Sequence, residues 1–341
     1  MKKNRSVLLL LVLAVMISVS ACNSREKTVE EEKTFAPDVV FTVNGDEVLL
    51  GEWNLYARPV IEDIDSFYGS EIWKYEMDAE GKLFGEALQE DIRNRIVNVK
   101  MVASYAVSLG VELSEDDRTE IKISSEEYFS KLSENDREKY KITEELVEKV
   151  CQDNFLANKV YEYITLNVDT KTDDSEVRHM VLRYIMLPKT YEDSDGNTVY
   201  YSDEELMLKR SRLQDIRDTV SEGNKTLKDY ESDSFAVNEI ITDLAGLKEK
   251  LPEDKAEKVF KLKQQKLSQV YETDEAFFLF ECIDENDEES TKAARIRIIE
   301  QREQQVFEES YLSWKESIKV ETNEKVWKSI AESDFDTLNN Q

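Results

Sequence analysis

The stretch Leu251–Asp284, LPEDKAEKVFKLKQQKLSQVYETDEAFFLFECID, decides the fold of this chain. Ala256, Val259, Phe260 and Leu262 recur at helical spacing, so the stretch opens as a short amphipathic helix. The period then changes. Leu267–Tyr271 and Ala276–Ile283 are apolar strand-like runs, and the polar residues Glu272–Glu275 between them supply a turn. Helix, strand, turn, strand marks a small sheet with a flanking helix inside a chain whose other signals are helical.

Those other signals run outward in both directions. Upstream, Val39–Leu50 holds two apolar runs around Asn44-Gly45, a pair suited to a tight hairpin turn, and Trp53, Tyr56, Val60, Ile64 and Phe67 follow at helical spacing. Phe84, Leu88, Ile92, Ile96, Val99, Ala103, Ala106 and Leu109 define one long helix that Gly110 ends. Ser114 reads as the N-cap of the next helix, with Asp117 completing an aspartate version of the capping box. Amphipathic segments continue over 115–132 and 144–167. The polar run NVDTKTDDS at 167–175 is a domain boundary. Val181–Leu187 is strand-like and closed by Pro188, 202–222 is helical, and a last long helix runs from about Ser290 to Ser317, followed by a segment from Ile318 to Ile330.

Composition agrees. The 341 residues include 9 Gly and 4 Pro with 35% charged residues, which favours solvated helices over a loop-rich sheet protein, and the length suggests two domains. The formal charge of −29 leaves no basic stripe for a nucleic-acid backbone, so no nucleic-acid partner is expected. No phosphate-binding loop is present, so ATP is not expected either. One histidine, His179, and three cysteines, Cys22, Cys151 and Cys282, exclude a His-rich zinc site, and neither a metal nor another cofactor is expected. Cys151 and Cys282 fall on apolar patterns and read as buried thiols, with a disulfide the alternative. The absence of G-x-S-x-G, H-E-x-x-H and a second histidine argues against a hydrolase.

The first 21 residues have the layout of an export signal: Lys2, Lys3 and Arg5, then an apolar run from Val7 to Val19, then Ser20-Ala21 before Cys22. Val19-Ser20-Ala21-Cys22 resembles the bacterial lipobox, which implies lipidation of Cys22 and cleavage between Ala21 and Cys22. Residues 22–37 are charged and poor in large apolar residues, a flexible tether. An acyl chain on Cys22 then holds the rest at the extracytoplasmic face of the cell membrane.

Taken together, these runs resemble a SurA/PrsA-like foldase lipoprotein. Val259-Phe260-Lys261-Leu262, Lys266-Leu267-Ser268-Gln269-Val270 and Ala276-Phe277-Phe278-Leu279-Phe280-Glu281-Cys282 correspond to the A-F-x-L, G-E-x-S-x-V and G-Y-H-I-I-x-V runs of a parvulin-type prolyl isomerase domain. The Val43-Asn44-Gly45 hairpin, the long helix and the Gly110-Val111-Glu112-Leu113-Ser114 link follow the order of the SurA-type chaperone domain. The resemblance implies a mainly α fold with an α+β insert. Its parts are a helical chaperone domain over 38–167, a parvulin-like antiparallel sheet with flanking helices over 176–285, and a C-terminal helix over 290–330 that returns to the chaperone domain. It also implies a membrane-anchored holdase for unfolded exported proteins.

The isomerase chemistry is a separate matter. Parvulins place paired histidines beside an apolar proline pocket. The alignment puts Phe278 at the second histidine and Lys255 at the pocket phenylalanine, with Phe260 in the A-F-x-L motif. A lysine there must leave the pocket or shift its pKa. For the first histidine two registers compete: Arg178-His179-Met180-Val181-Leu182 aligns His179, and Arg183-Tyr184-Ile185-Met186-Leu187 aligns Tyr184. The second fits the strand end before Pro188 and is preferred, giving a module of weak or no isomerase activity. An active parvulin-type isomerase is one alternative. A small-ligand-binding transport lipoprotein is another, and it requires a substantial parallel sheet. Replacing Cys22 by Ser is expected to release the protein from the membrane or to block its processing, read by fractionation. Normal cleavage with unchanged membrane retention would contradict the lipobox reading.

Overall fold

Asn44 and Gly45 take φ values of 51° and 88°, the left-handed pair that a two-residue hairpin turn requires. Across them, in the computed structural model, β1 (Val39–Val43) pairs antiparallel with β2 (Asp46–Leu49). The structure describes residues 35–223, 225–232 and 235–333, so the signal stretch 1–21, Ala21, Cys22 and most of the 22–37 tether lie outside it. The chain divides into two compact units, one comprising 1–167 with 305–341 and the other 168–304. No helix among the described residues is long and apolar enough to cross a membrane.

In the first unit the hairpin leads directly into α1 (Leu50–Tyr68), then α2 (Phe84–Ser104) and α3 (Ala106–Leu109). The sequence pattern predicts one helix through Leu109, and the structure breaks it at Tyr105. The Tyr105 amide donates to the Val102 carbonyl at 3.2 Å, a tightened turn, while its ring stacks on Trp314 at 4.4 Å and its hydroxyl lies 2.9 Å from Ser317 Oγ. Packing on this aromatic pair outweighs the helical periodicity. Gly110 closes α3 with φ 70°. Both halves of the expected box open α4 (Glu115–Lys131): Ser114 Oγ accepts the Asp117 N–H at 3.2 Å, and the Asp117 carboxylate accepts the Ser114 N–H at 2.7 Å. The short α5 (Glu134–Lys139) and the long α6 (Glu144–Thr165) follow.

The second unit runs through α7 (Asp174–Val177), β3 (Met180–Pro188), the hairpin β4 (Thr190–Glu192) with β5 (Thr198–Tyr200), and α8 (Asp203–Ser221). It continues with β6 (Val237–Thr242), α9 (Leu244–Lys250), α10 (Glu253–Phe260), β7 (Tyr271–Glu272) and β8 (Ala276–Asp284). Its sheet has the order β6-β3-β8-β7 and is antiparallel throughout. In β8, Ala276, Phe278, Phe280 and Cys282 point into a core with Leu247, Ala256, Val259 and Phe260. Phe277 and Leu279 alternate to the other face, against Leu213 and Ile216 of α8. Burial on both faces is why Ala276–Phe280 reads as an unbroken apolar run.

β6 is a strand that the sequence reading does not place, and all six of its residues pair with β3. Two expectations need correction. The strand expected over Leu267–Tyr271 shrinks to β7, and Leu267 makes only an isolated bridge to Glu281. The long C-terminal helix expected to end at Ser317 is α11 (Glu288–Ser317), and the helical continuation expected to 330 is β9 (Val320–Thr322) and then α12 (Glu324–Ser333). β9 adds to β1, giving the sheet order β2-β1-β9, and the following residue is held by Asn323 N–H to the Val40 carbonyl at 2.9 Å. Pairing with a distant edge, which local periodicity does not register, turns Val320 and Thr322 into strand residues. Residues from Gln305 onward belong to the first unit, where Phe307, Tyr311 and Trp314 pack with Val99, Val102 and Val160.

The first unit is pinned by a buried lysine. Lys100 of α2, 5% exposed, sits 2.8 Å from Asp46, 3.0 Å from Glu52 and 3.2 Å from Asp153, which belong to β2, α1 and α6. Burial disfavours its charge, but Glu52 and Asp153 beside it raise its pKa above the ordinary lysine value. Burial pushes the Glu52 carboxyl upward, with Lys100 pulling the other way, and Glu52 Oε2 has no hydrogen-bond partner among the described residues. A buried charge set of this kind fixes geometry more than it adds stability, and removing one member leaves the others uncompensated.

Lys100→Met is therefore expected to cost about 3–5 kcal/mol in urea unfolding at neutral pH, and adding Glu52→Leu to recover part of that loss. At the surface of the same unit, the Lys159 ammonium and the Ser114 N–H hold the Asp117 carboxyl down to about 2, below its ordinary 3.8. A depressed folded-state pKa stabilises above the unfolded value and loses that contribution as pH falls through the folded one. Wild-type stability is thus expected to decline between about pH 3.8 and 2 through Asp117, and Asp117→Asn to flatten that part of the profile in acid titrations followed by circular dichroism.

Candidate functional site

Register on β3 decides which side chains share the sheet face under α10. Pairing with β8 sets Tyr184 opposite Phe280 and Met186 opposite Phe278, so Tyr184 and Phe278 are diagonal neighbours on one face. Their ring centroids are 6.5 Å apart, and Phe280 lies 5.6 Å from Tyr184 and 5.8 Å from Phe278, stacked on the latter within 8°. The two positions where the resembled fold carries histidines under the preferred register are thus a phenol and a phenyl ring in one aromatic layer. Phe260 and Phe278 are 5% and 6% exposed, so both are packed into the core. The layer consists of packed rings and carries one hydroxyl, that of Tyr184. It has no imidazole to exchange protons or hydrogen bonds with a peptide.

His179 lies elsewhere. It precedes β3, its N–H donates to Thr291 Oγ1 at 2.9 Å, its carbonyl accepts the Asp287 N–H at 2.8 Å, and its Nδ1 is 2.9 Å from the Val177 carbonyl. It joins the start of β3 to the start of α11. Lys255 does not enter the aromatic layer: its Nζ donates to the Glu272 carbonyl at 2.6 Å, beside β7. The residue that sequence reading missed is Arg178. Its guanidinium lies 3.7 Å over the Phe260 ring and donates to the Phe260 and Glu285 carbonyls at 2.6 and 2.8 Å. Two of its partners are backbone oxygens in distant parts of the chain, which side-chain patterning cannot announce.

Cys151 and Cys282 are both free, and burial pushes each thiol up to about 11, so neither is a reactive thiolate at neutral pH. No group of His, Cys, Asp or Glu among the described residues could hold a metal ion. A cleft of about 340 Å³ opens beside Lys100, lined by Val43, Asn44, Asp46, Ser104, Asp153 and Leu156, but its lysine is already matched by carboxylates.

The first unit offers a different kind of surface. Phe67, expected on the buried face of α1, is 82% exposed, and Tyr68, Tyr75 and Met77 are 72%, 62% and 53% exposed. The last turn of α1 extends past its packing partners, so helical phase no longer predicts burial there. Four large apolar side chains exposed within eleven residues are more than the single scattered ones usual on a soluble surface.

A mainly helical chain carrying small antiparallel sheets, one of them with an aromatic face, is the arrangement that the SurA/PrsA resemblance implies. Comparison with curated proteins finds the same resemblance. The chain is similar to the foldase protein PrsA of Caldanaerobacter subterraneus subsp. tengcongensis, 23% identical over 153 residues, 44% of this chain and 47% of that protein. It is also similar to PrsA of Clostridium perfringens, 25% identical over 173 residues, 49% of this chain and 48% of that protein. The chain spans about half the length of the curated relatives it matches. No protein-family profile matches it. Among solved structures, one of SurA-like chaperones from Campylobacter jejuni aligns with TM-score 0.28 and 12% identity, covering 83% of this chain and 98% of that one. PrsA from Bacillus cereus aligns with TM-score 0.31 and 14% identity, covering 77% and 99%.

Proposed function

We propose that this protein is an extracytoplasmic folding factor that holds unfolded segments of exported proteins without ATP, anchored to the membrane by a lipid on Cys22. In this reading the helical part, 38–167 with the C-terminal segment, binds the client, and the parvulin-like part, 176–285, has little or no prolyl isomerase activity. The observation that carries the reading is the similarity to PrsA foldases over about half the chain. The exposed Phe67, Tyr68, Tyr75 and Met77 support client binding, since apolar side chains in water are what an unfolded segment can cover.

The isomerase half rests on the aromatic layer. Uncatalysed X-Pro rotation faces a barrier of about 20 kcal/mol, and the resembled enzymes lower it beside paired histidines. Tyr184 and Phe278 stand at those positions under the preferred register, with His179 engaged at the strand end. The transport-lipoprotein alternative needs parallel βα units, and every strand pair among the described residues is antiparallel.

The full chain at stoichiometric amounts is expected to suppress light scattering by a chemically unfolded client in the absence of ATP. On the same sample, isomerisation of a proline peptide is expected to stay near background and to be unchanged by His179→Ala. Isomerisation well above background that disappears in His179→Ala would restore the other register and an active enzyme. Undiminished scattering would remove the holding function.

A further inference from the structure

The end of α1 and the turn that follows carry both apolar exposure and concentrated charge. From Glu62 to Glu80 the chain has seven acidic residues and one basic residue, Lys74. Among the acids, Asp63, Glu71, Glu76, Asp78 and Glu80 are exposed, as are Phe67, Tyr68, Tyr75 and Met77.

The backbone beneath these side chains is well tied. Trp73, 3% exposed, donates its Nε1 to Asp65 at 3.3 Å and packs its ring 5.8 Å from Phe84. The Tyr75 carbonyl accepts the Phe84 N–H at 2.9 Å, and the Met77 N–H donates to the Lys82 carbonyl at 2.8 Å. Asp78 Oδ1 accepts the N–H groups of Glu80 and Lys82, each at 3.0 Å. The exposed rings are therefore presented on a backbone that is already ordered, so a bound segment need not order it.

We infer that the 62–80 end of the helical unit is a docking surface for extended, unfolded segments in which Lys or Arg residues flank apolar or aromatic ones. This rests on the folding-factor reading and deepens it by naming the chemistry of the client segment. Phe67, Tyr68, Tyr75 and Met77 cover the apolar side chains, and the surrounding carboxylates attract the cationic ones and repel acidic segments. Rim charges of this kind act over about 10 Å at 0.1 M salt, so the charge preference weakens as salt rises while the apolar contact persists.

The test uses the full chain and two fluorescent, unstructured peptides with the same apolar residues, one flanked by Lys and one by Glu, followed by anisotropy at low salt. The Lys peptide is expected to bind at least tenfold more tightly. The paired substitution Phe67→Ser with Tyr75→Ser is expected to weaken it at least tenfold, with an unchanged circular dichroism spectrum, since both side chains are exposed. The pair Glu71→Lys with Glu76→Lys leaves most of the −29 overall charge in place and is expected to abolish or invert the preference. Equal binding of both peptides would overturn the inference. So would a Lys preference that survives both variants, because the charge of the whole chain would then account for it. If the wild-type chain suppresses client aggregation but the tip variants bind like wild type, the inference fails and the folding-factor reading stands. If the wild-type chain neither suppresses aggregation nor binds either peptide, both fail together.

Discussion

Lys100 is the constraint on which the first unit depends. Its ammonium ties the β1–β2 hairpin, α1, α2 and α6 through Asp46, Glu52 and Asp153. Desolvating a cation at this depth is costly, and the cost is offset only while the surrounding carboxylates stay in place. The arrangement thus has little tolerance: a shift of any one element exposes the others to an uncompensated charge. Holding α1 at Glu52 also determines where its far end emerges. Fifteen residues on, at a rise of about 1.5 Å each, Phe67 lies about 22 Å along the helix axis, beyond the packed layer and in water. A buried ion cluster at one end of α1 and exposed aromatic rings at the other are consequences of the same placement.

The second unit is organised by a strand instead. β8 is buried on both faces and alternates between two cores, so each substitution along it is constrained by packing. This gives a physical account of the site's composition. Tyr184, Phe278 and Phe280 pack their rings on one another, and the Arg178 guanidinium lies over the Phe260 ring. The small antiparallel sheet with flanking helices thus carries on this face residues that pack.

Much of this was legible in the sequence because it is periodic. α2, α4, α6 and α8, the Asn44-Gly45 turn and the Ser114–Asp117 box all declare themselves within a few residues, and β8 does so by the apolar run Ala276–Phe280. The rest depends on partners far away in the chain. Lys100 looks like any helical lysine until Asp46 and Asp153, 54 and 53 residues away, are brought to it. β6 and β9 become strands because β3 and β1 have free edges to receive them. Phe67 follows the helical phase perfectly and is exposed only because nothing packs there. At the aromatic layer, the sequence offers His179 and Tyr184 for the first histidine position, and of these Tyr184 has its ring 6.5 Å from that of Phe278.

The central proposal is that holding and isomerisation are separable in this protein, with the first present and the second weak or absent. The most direct measurement is refolding of a client whose slow phase is limited by X-Pro isomerisation, with yield and rate followed in one experiment as the full chain is added. The account predicts that the yield of native client rises with added protein while the slow rate constant stays at its uncatalysed value. Acceleration of the slow phase in proportion to added protein, or a yield that does not change, would contradict it.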